Sequence, residues 1–410
     1  MNKKITIIKA KKIYNSSQEE FFPATAIAVA GNEILTIGKF EDIQKQYPDA
    51  SVIDWSSLYL FPGLINTHVH LEFDGTVNAR QRYLRESVGT RFLLAAINAN
   101  TLLESGVTTA RDAGSSWEAL NLRLQQVQTV MALPKLQFVG PPLTVTGGHL
   151  YFLGGETDAS EDMVKQVRLR KKQGCDAVKL IVTGGQMTPG SMPEQTYMHT
   201  REIQAVCEEA HNLHLSVFAH CLTTEGAVRC MKGGVDCVDH MACFVRNQKN
   251  GLLERRFELE RMEPFRNNEH YFMMGLSAGY HNLESYRNGD CACGEKERFW
   301  LEQEKNMFTI FKKCIELGFL PVCGTDAGTA GTHFSETWLE LALMVERGGL
   351  TTREAIRIGT LQSAKCIGVR TGSLEPGYQA DMIALKENPL LNIRALRHID
   401  HVVCNGKIKK

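Results

Sequence analysis

Short apolar runs and longer amphipathic stretches alternate through the middle of the chain, from about residue 60 to residue 365. The apolar runs include "GVTTARDAG", "CDAVKLIVTGG", "LSVFAHC" and "FLPVCGTDAG", and amphipathic stretches such as "TREIQAVCEEAHNLH" lie between them. Strand and helix alternating at this spacing predict an α/β fold made of parallel βαβ units. The pattern leaves open whether the sheet is an open doubly wound sheet or a closed (β/α)8 barrel.

Both ends of the chain have a different pattern, with short strand-like runs and many turns. The first 60 residues contain "ITIIKAKKIY", "AIAVAGNEILTIG" and "SVIDWSSLYLFPG", where "GNE" predicts a hairpin turn. The segment 366–410 has a similar character. We therefore expect residues 1–60 and 366–410 to pair into one small β domain, with 61–365 forming the main α/β unit.

The stretch from about 246 to 306 is charged and less periodic than its surroundings. We interpret it as a lid-like insertion over one end of the α/β unit. Within it, "MMGLSAGYHN" predicts the seventh strand of that unit.

Composition narrows the class of protein. Lys plus Arg and Asp plus Glu are both 46 in 410 residues, so the chain carries no net charge that would favour nucleic acid or an anionic membrane as a partner. No apolar run approaches the roughly 18–20 residues that span a bilayer, and "MNKKITIIKAKKIYNS" lacks a signal-peptide cleavage site. The 12 cysteines are too dispersed for a disulfide scaffold and suggest reduced thiols in a cytoplasmic protein.

Polar residues lie within or at the ends of several apolar runs. In "LFPGLINTHVHLEF", His68 and His70 are two residues apart, so on a strand they point to the same face. The later runs contribute Lys179, His220, His240 and Asp326. In an α/β barrel these positions would meet at the carboxyl ends of the strands. A single polar residue at such a position is more often structural than functional. Six of them together are not easily explained by structural roles alone.

Burying six such groups together would cost several kcal/mol without compensating ions. Imidazole and carboxylate ligands suit two divalent cations, with Zn²⁺ favoured and Mn²⁺, Fe²⁺, Co²⁺ or Ni²⁺ as alternatives. Lys179 is the exception, because two nearby cations would drive its ammonium toward the neutral amine. A neutral amine can capture CO₂, and the resulting carbamate has two oxygens that can bridge two metals.

The motifs "FPGLINTHVH", "VKLIVTGG", "FAHC", "VDCVDH" and "GTDAG" resemble those of the metal-dependent amidohydrolase superfamily. The tail "TLQSAKCIGVRTGSLEPGYQADMIAL" is similar to the closing segment of that family. Within it, the chain most resembles the Xaa-Pro dipeptidase and arginine carboxypeptidase-like subgroup, which is related to imidazolonepropionase. The resemblance implies a distorted (β/α)8 TIM barrel with a small β-sandwich domain formed by both chain ends, in a homo-oligomer.

The resemblance also implies roles for the six residues. His68 and His70 would hold one metal with Asp326, His220 and His240 would hold the other, and carboxylated Lys179 would bridge the two. The expected reaction on the small-molecule substrate is hydrolysis of an amide-type C–N bond in a dipeptide or N-acyl amino acid. A metal-bridging hydroxide would attack, and Asp326 would act as general acid and base.

Substrate contacts are harder to predict. His149, in "TVTGGHLYFLGG", corresponds in the resembling subgroup to a catalytic histidine that faces the substrate carbonyl. Cys291 and Cys293 lack a second cysteine pair at metal-binding spacing, so we expect free thiols on a loop. Further candidates for binding a substrate carboxylate or side chain are Tyr151, Arg246, Tyr280, His281 and His333.

Two other functions compete with this prediction. One is a cyclic-amide hydrolase or a ring aminohydrolase of the imidazolonepropionase, hydantoinase or deaminase kind. Family deaminases usually use one metal and lack the strand-four lysine, so Lys179 favours the binuclear hydrolase. The other is a non-catalytic barrel relative, which typically loses ligand residues that this chain retains.

Overall fold

The computed structural model describes residues 4–124, 130–281, 295–329 and 331–410. Strands alternate with helices through the middle of the chain, whereas the two ends consist mainly of strands. The strands are β1 Ile5–Asn15, β2 Glu20–Phe21, β3 Ala26–Ala30, β4 Glu33–Gly38, β5 Ser51–Pro62, β6 Leu64–Val69, β7 Val107–Asp112, β8 Lys135–Phe138, β9 Ala177–Ile181, β10 Ser216–Cys221, β11 Cys237–His240, β12 Phe244–Arg246, β13 Leu253–Arg255, β14 Tyr271–Met273, β15 Leu320–Pro321, β16 Met382–Leu385, β17 His401–Cys404 and β18 Lys407–Ile408.

The longer helices lie between the strands of the middle region. Their first turns are often capped by side chains; for example, the hydroxyl of Ser87 accepts a hydrogen bond from the backbone N–H of Thr90. The α-helices with bounds in the structure are Phe40–Gln46, Ala79–Arg85, Val88–Glu104, Asn121–Leu124, Ser160–Gln173, Thr200–Asn212, Thr224–Gly233, Leu259–Met262, Glu295–Glu316, Thr337–Glu346, Thr352–Arg357 and Ser363–Cys366.

The two ends of the chain form one mixed sheet. Its strand order is β18-β17-β16-β5-β1-β3-β4, and β2 pairs with β1. Strand β5 is parallel to β1 on one side and antiparallel to β16 on the other. The predicted hairpin at "GNE" is confirmed, because β3 and β4 pair antiparallel around Gly31, whose φ of 63° is readily adopted by glycine.

The middle of the chain forms parallel sheets, as the alternating pattern predicts. Strands β6, β7 and β8 form a three-stranded sheet, and the order β15-β14-β11-β10-β9 forms a five-stranded one. The structure thus contains two parallel sheets rather than one closed sheet of eight strands. Backbone hydrogen bonds connect them on both sides: the N–H of Leu143 donates to the carbonyl of Lys179, and the N–H of His70 donates to the carbonyl of Ala327, each at 2.8 Å.

A compact apolar cluster lies between the parallel strands. Each of the eight strands contributes one member, either from the strand itself or from the residue directly after it: Ile65, Ala113, Val139, Ala177, Phe218, Cys237, Met273 and Val322. A larger cluster packs the outer faces of these strands against the helices, and the sheet formed by the chain ends has its own core.

The seventh parallel strand lies earlier than the sequence predicts. Strand β14 ends at Met273, the first residue of "MMGLSAGYHN", and 276–281 is helical. Gly275, with φ of +67°, ends the extended conformation. The buried carboxylate of Glu340 then accepts hydrogen bonds from the N–H groups of Leu276 and Ser277, both at 2.8 Å. Such an acceptor favours a helix N-terminus, which the local apolar pattern does not reveal.

Among the described residues, no helix combines the length and the apolar content that crossing a membrane requires.

Glu340 gives the fold a testable pH dependence. Burial raises the pKa of its carboxyl from 4.5 to about 7, although hydrogen bonds from Ser277 and Leu276 act to lower it. Because the pKa is raised in the folded state, its contribution to stability is complete below about pH 4.5 and is lost as the pH rises through about 7. The wild-type free energy of unfolding should therefore fall relative to that of Glu340→Gln, by up to about 1.4 kcal/mol per pH unit.

Chemical denaturation of both proteins between about pH 5 and pH 8 measures this difference, since a single group titrates over such a range. Glu346→Gln is the matched control, because Glu346 ends the same helix and pairs with Arg394 at the surface. Parallel stability curves for the wild type and Glu340→Gln would contradict the expectation.

Candidate active site

The six predicted metal-binding residues line one cavity of about 480 Å³. Five of them lie in the last two residues of a parallel strand or after it, where α/β folds of this kind place their chemistry, and Lys179 is the middle residue of β9. His68 is in β6 and His70 directly follows it, Lys179 is in β9, His220 is in β10, His240 ends β11, and Asp326 follows β15.

His68, His70 and Asp326 form a group that could hold a metal ion. One ligand atom from each lies within 4.8 Å of the others. Oδ1 of Asp326 is 3.4 Å from Nε2 of His68 and 3.4 Å from Nε2 of His70. Nδ1 of His70 lies 3.1 Å from the carbonyl oxygen of Gly114, a contact that fixes the ring and directs Nε2 toward the carboxylate.

His220 and His240 face this group across the cavity. Their ring centroids are 4.8 Å apart, and the ring of His240 is 5.1 Å from that of His68. His149 lies beside His220, with ring centroids 4.6 Å apart and the ring planes tilted by 35°. The cavity therefore gathers five imidazoles and one carboxylate, which is a donor set suited to borderline divalent cations.

Two of these residues have unusual backbone conformations. His240 has φ of 72° and Asp326 has φ of 60°, both in the left-handed region that side chains other than glycine rarely adopt. In His240 this conformation turns the last residue of β11 out of the regular alternation of the strand. Strain of this kind is found at functional positions, where the surrounding structure holds it in place.

The cavity favours neutral imidazoles, the form that binds metals. Burial lowers the pKa of His68 and of His149 to about 3, and it lowers the pKa of His220 and His240 as well. His70 differs, because the carboxylate of Asp326 raises its pKa above the ordinary value despite burial.

Asp326 stays ionised in this surrounding. Burial would raise the pKa of its carboxyl, but the adjacent imidazoles, led by His70, lower it below the ordinary value. Its side chain is 19% exposed, compared with 1% for His68 and 5% for His70. Asp326 is therefore an anionic group that a molecule in the cavity can reach.

Lys179 contacts a residue that the sequence analysis did not select. Its Nζ donates a hydrogen bond of 2.5 Å to Oδ2 of Asp239, and the same oxygen lies 2.9 Å from Nδ1 of His68. Asp239 is fully buried. Burial lowers the pKa of Lys179, although the charge of Asp239 opposes this effect.

The alternation of β11 explains why Asp239 was missed. His240 is the residue that ends "VDCVDH", and it was selected for that reason. On a strand, however, Asp239 shares a face with Cys237, which belongs to the cluster between the parallel strands. His240 reaches the cavity through its left-handed backbone. The sequence signal for Asp239 was an acidic residue inside an apolar run, two positions after Cys237 and therefore on the same face of the strand.

Arg111 is a second buried residue that was missed. Its Nε donates a hydrogen bond of 2.9 Å to the carbonyl of Thr67, and its guanidinium lies 3.5 Å from the ring centroid of Phe218. Its positive charge lowers the pKa of Asp239, behind the larger effect of Lys179. Arg111 therefore helps to balance the carboxylate beneath the cavity.

Most of the predicted substrate contacts lie away from the cavity. His149 lines it, whereas Arg246 is exposed and pairs with Glu194 at 2.5 Å. The other four candidates do not line the cavity either. Tyr151 lies in a short 3₁₀ helix, and the ring of Tyr280 packs against the guanidinium of Arg347. The ring of His281 lies 2.7 Å from the carboxylate of Glu336, and His333 is exposed. Cys291 and Cys293 lie outside the described residues.

Residues 59–409 match the model of the Amidohydrolase family. The chain belongs to this family. Ochratoxinase from Aspergillus niger is 26% identical over 448 residues, covering 99% of this chain and 87% of that protein. An imidazolonepropionase from Geobacillus kaustophilus is 21% identical over 403 residues, and the alignment covers 93% of this chain and 89% of that protein.

Solved structures agree with the family. A Xaa-Pro dipeptidase with bound methionine in its active site superposes with a TM-score of 0.83 at 26% identity, covering 98% of this chain and 99% of that one. The structure of A. niger ochratoxinase also gives a TM-score of 0.83, at 24% identity, covering 100% and 96% of the two chains. This amidohydrolase is a hydrolase that acts on C–N bonds.

The contact between Lys179 and Asp239 can be tested by stability. Asp239→Asn removes the charge that balances a buried ammonium, so we expect the metal-free amidohydrolase to lose about 3–5 kcal/mol in free energy of unfolding. Adding Lys179→Met should recover most of this loss, because the unpaired ammonium is then gone. Chemical denaturation of the wild type, both single variants and the double variant measures the coupling. Additive losses would show that the two residues act independently.

Proposed function

We propose that this protein is a binuclear metal-dependent amidohydrolase that cleaves the amide bond of dipeptides or N-acyl amino acids. The observation that carries the proposal is that four histidines, Lys179 and Asp326 all line one cavity. The similarity to a Xaa-Pro dipeptidase, at 26% identity over nearly the whole of both chains, supports a peptide-like substrate.

The donor set supports two divalent cations, which we propose to be Zn²⁺. His68, His70 and Asp326 would hold one, and His220 and His240 the other. Lys179 would bridge them as its carbamate. Burial lowers the pKa of Lys179 and so shifts it toward the neutral amine that CO₂ requires. Once Lys179 is carboxylated, its hydrogen bond to Asp239 would be lost, and Asp239 would still contact Nδ1 of His68.

The bound cations would supply a hydroxide nucleophile near neutral pH and would polarise the scissile carbonyl. Asp326 would accept the proton of the nucleophile and pass it to the leaving nitrogen. Two observations support this role: Asp326 is ionised, and it is the most exposed of the three clustered residues.

His149 would donate a hydrogen bond to the substrate carbonyl. Its Nδ1 lies 3.0 Å from the hydroxyl oxygen of Thr188, which also accepts a hydrogen bond from the N–H of Leu150. The hydroxyl proton of Thr188 is therefore available to Nδ1. In that arrangement a neutral His149 carries its own proton on Nε2, directed away from Thr188 and available to a substrate.

We further propose that the parallel strands close into a distorted (β/α)8 barrel and that the sheet of the chain ends belongs to a β-sandwich domain comprising 1–60 and 366–410. The hydrogen bonds that connect both edges of the two parallel sheets support closure. So does the apolar cluster that draws on all eight strands. The ten free cysteines among the described residues are all buried, which supports a cytoplasmic location.

The test of function is a screen of dipeptides and N-acyl amino acids with the zinc-loaded protein. Hydantoin-like and imidazolone-like rings belong in the same screen, because an imidazolonepropionase is among the relatives. We expect hydrolysis of linear amides and little turnover of the rings. Preferential opening or deamination of a ring would support the alternative function instead.

Asp326→Asn should lower kcat by about 10²- to 10⁴-fold, because it removes the group that moves the proton. Metal analysis of the same sample separates this role from metal loss. Asp54→Asn serves as a control, since Asp54 is an exposed residue of the sheet formed by the chain ends. Unchanged turnover in Asp326→Asn would rule out its acid–base role.

The metal content is a separate prediction. Elemental analysis of the purified protein should give about two divalent ions per chain. Added bicarbonate should raise the activity of the wild type but not that of Lys179→Met, which cannot form a carbamate and should bind less metal. A folded, active protein without metal would refute the binuclear mechanism.

A further inference from the structure

Arg255 places a positive charge on the wall of the cavity. It is the last residue of β13, and in the hairpin with β12 it pairs with Phe244. Both residues line the cavity, and the guanidinium lies 4.7 Å from the ring centroid of Phe244. Arg246, which the sequence analysis selected, lies on the same hairpin but points to the surface and is neutralised by Glu194.

Within the described part of the chain, Arg255 pairs with no carboxylate. Its side-chain hydrogen bond is a long one, 3.4 Å from Nη1 to the carbonyl of Ala242. Burial lowers the pKa of the guanidinium to about 10, so it remains a cation at neutral pH. A largely buried cation without an anion is costly, and the cost falls when a ligand supplies the negative charge.

The rest of the cavity fits an anion that carries an apolar group. Among the described lining residues, Asp326 is the only acid, and it belongs to the proposed metal site. Much of the wall is apolar, including Leu150, Ile181, Leu222 and Met274. A volume of about 480 Å³ is in the range that holds a molecule of dipeptide size.

We propose that Arg255 binds the free carboxylate of the substrate and thereby selects amides whose leaving group is an amino acid. This inference rests on the proposed function and assigns the residue that recognises the amino-acid leaving group. A guanidinium offers two parallel N–H donors, which match the two oxygens of a carboxylate. The ring of Phe244 packs against the guanidinium before the substrate arrives, which reduces the side-chain entropy lost on binding.

Arg80 is the other arginine of the cavity wall. It lies on the helix Ala79–Arg85, and its guanidinium is 5.3 Å from the ring centroid of Phe152. Arg80 likewise pairs with no carboxylate among the described residues, and its Nε is buried without a hydrogen-bond partner. Arg255 is chosen as the candidate because it contacts the carbonyl of Ala242, two residues after His240 of the proposed metal site. The experiment must therefore compare the two arginines directly.

The test compares an acid with its uncharged analogue. The wild type should hydrolyse N-acetyl-L-phenylalanine with a higher kcat/KM than N-acetyl-L-phenylalaninamide. The rate of acetate release measures both reactions. Arg255→Met should lower kcat/KM for the acid by about 10- to 100-fold, the range expected for a charged hydrogen-bonded pair, and leave the amide nearly unchanged. Arg256→Met is the matched control, because the neighbouring Arg256 has a side chain that is 66% exposed.

A binding measurement keeps the inference testable even if neither compound is hydrolysed. By calorimetry, 4-phenylbutanoate should bind the wild-type metal-loaded protein about 10-fold or more tightly than it binds Arg255→Met, whereas 4-phenylbutanamide should bind both proteins equally weakly. Arg255→Gln and Arg255→Lys replace the Met variant if it does not fold. The lysine variant keeps the charge without the paired donors, so it should retain an intermediate preference.

The outcomes separate this inference from the proposed function. If Arg255→Met loses carboxylate binding but the wild type hydrolyses neither these compounds nor the amides of the screen, the assignment of Arg255 to a carboxylate stands and the proposed function fails. If the wild type hydrolyses both compounds and Arg255→Met keeps its preference for the acid, the inference is overturned and the function stands. Loss of that preference in Arg80→Met, with Arg255→Met unaffected, would also overturn it.

Discussion

The candidate site depends on one constraint, which is that ionisable groups held away from water must be compensated by other charges. Three charged groups lie directly beneath or beside the histidines of the cavity: the ammonium of Lys179, the carboxylate of Asp239 and the guanidinium of Arg111. Asp239 contacts Lys179 and His68 at once, and Arg111 supplies a second positive charge. Without metal, this arrangement keeps the buried charges close to balanced. The site is therefore built into the core of the fold, and a change to any member alters stability as well as chemistry.

The sequence was informative where chemistry and strand periodicity coincide. His68, His70, Lys179, His220, His240 and Asp326 could all be selected because each interrupts or ends an apolar run, and parallel strands bring their carboxyl ends together. The parallel arrangement of the middle region and the hairpin at Gly31 were predictable for the same kind of local reason. Neither depends on contacts between distant residues.

The errors arose where long-range contacts decide the structure. The seventh strand was placed too late because Glu340, more than sixty residues away, promotes a helix at Leu276. Arg246 was selected and Arg255, which lines the cavity, was not, because the sequence does not show which side of a hairpin faces a cavity. That choice depends on the register of β12 against β13, in which Arg255 pairs with Phe244. Asp239 was missed because the left-handed conformation of His240 changes which residues of β11 face the site.

The sheet shared by the two ends of the chain has a consequence for how the protein is made. Strand β5 lies between β1 and β16, so Pro62 pairs with Met382 across some three hundred residues of intervening chain. During synthesis one edge of β5 stays unpaired until β16, some three hundred residues later, has left the ribosome. Contacts of such high sequence separation fold slowly, and open strand edges promote aggregation. We infer that a chain truncated before β16 would lose solubility, although every residue that lines the candidate active-site cavity would still be present.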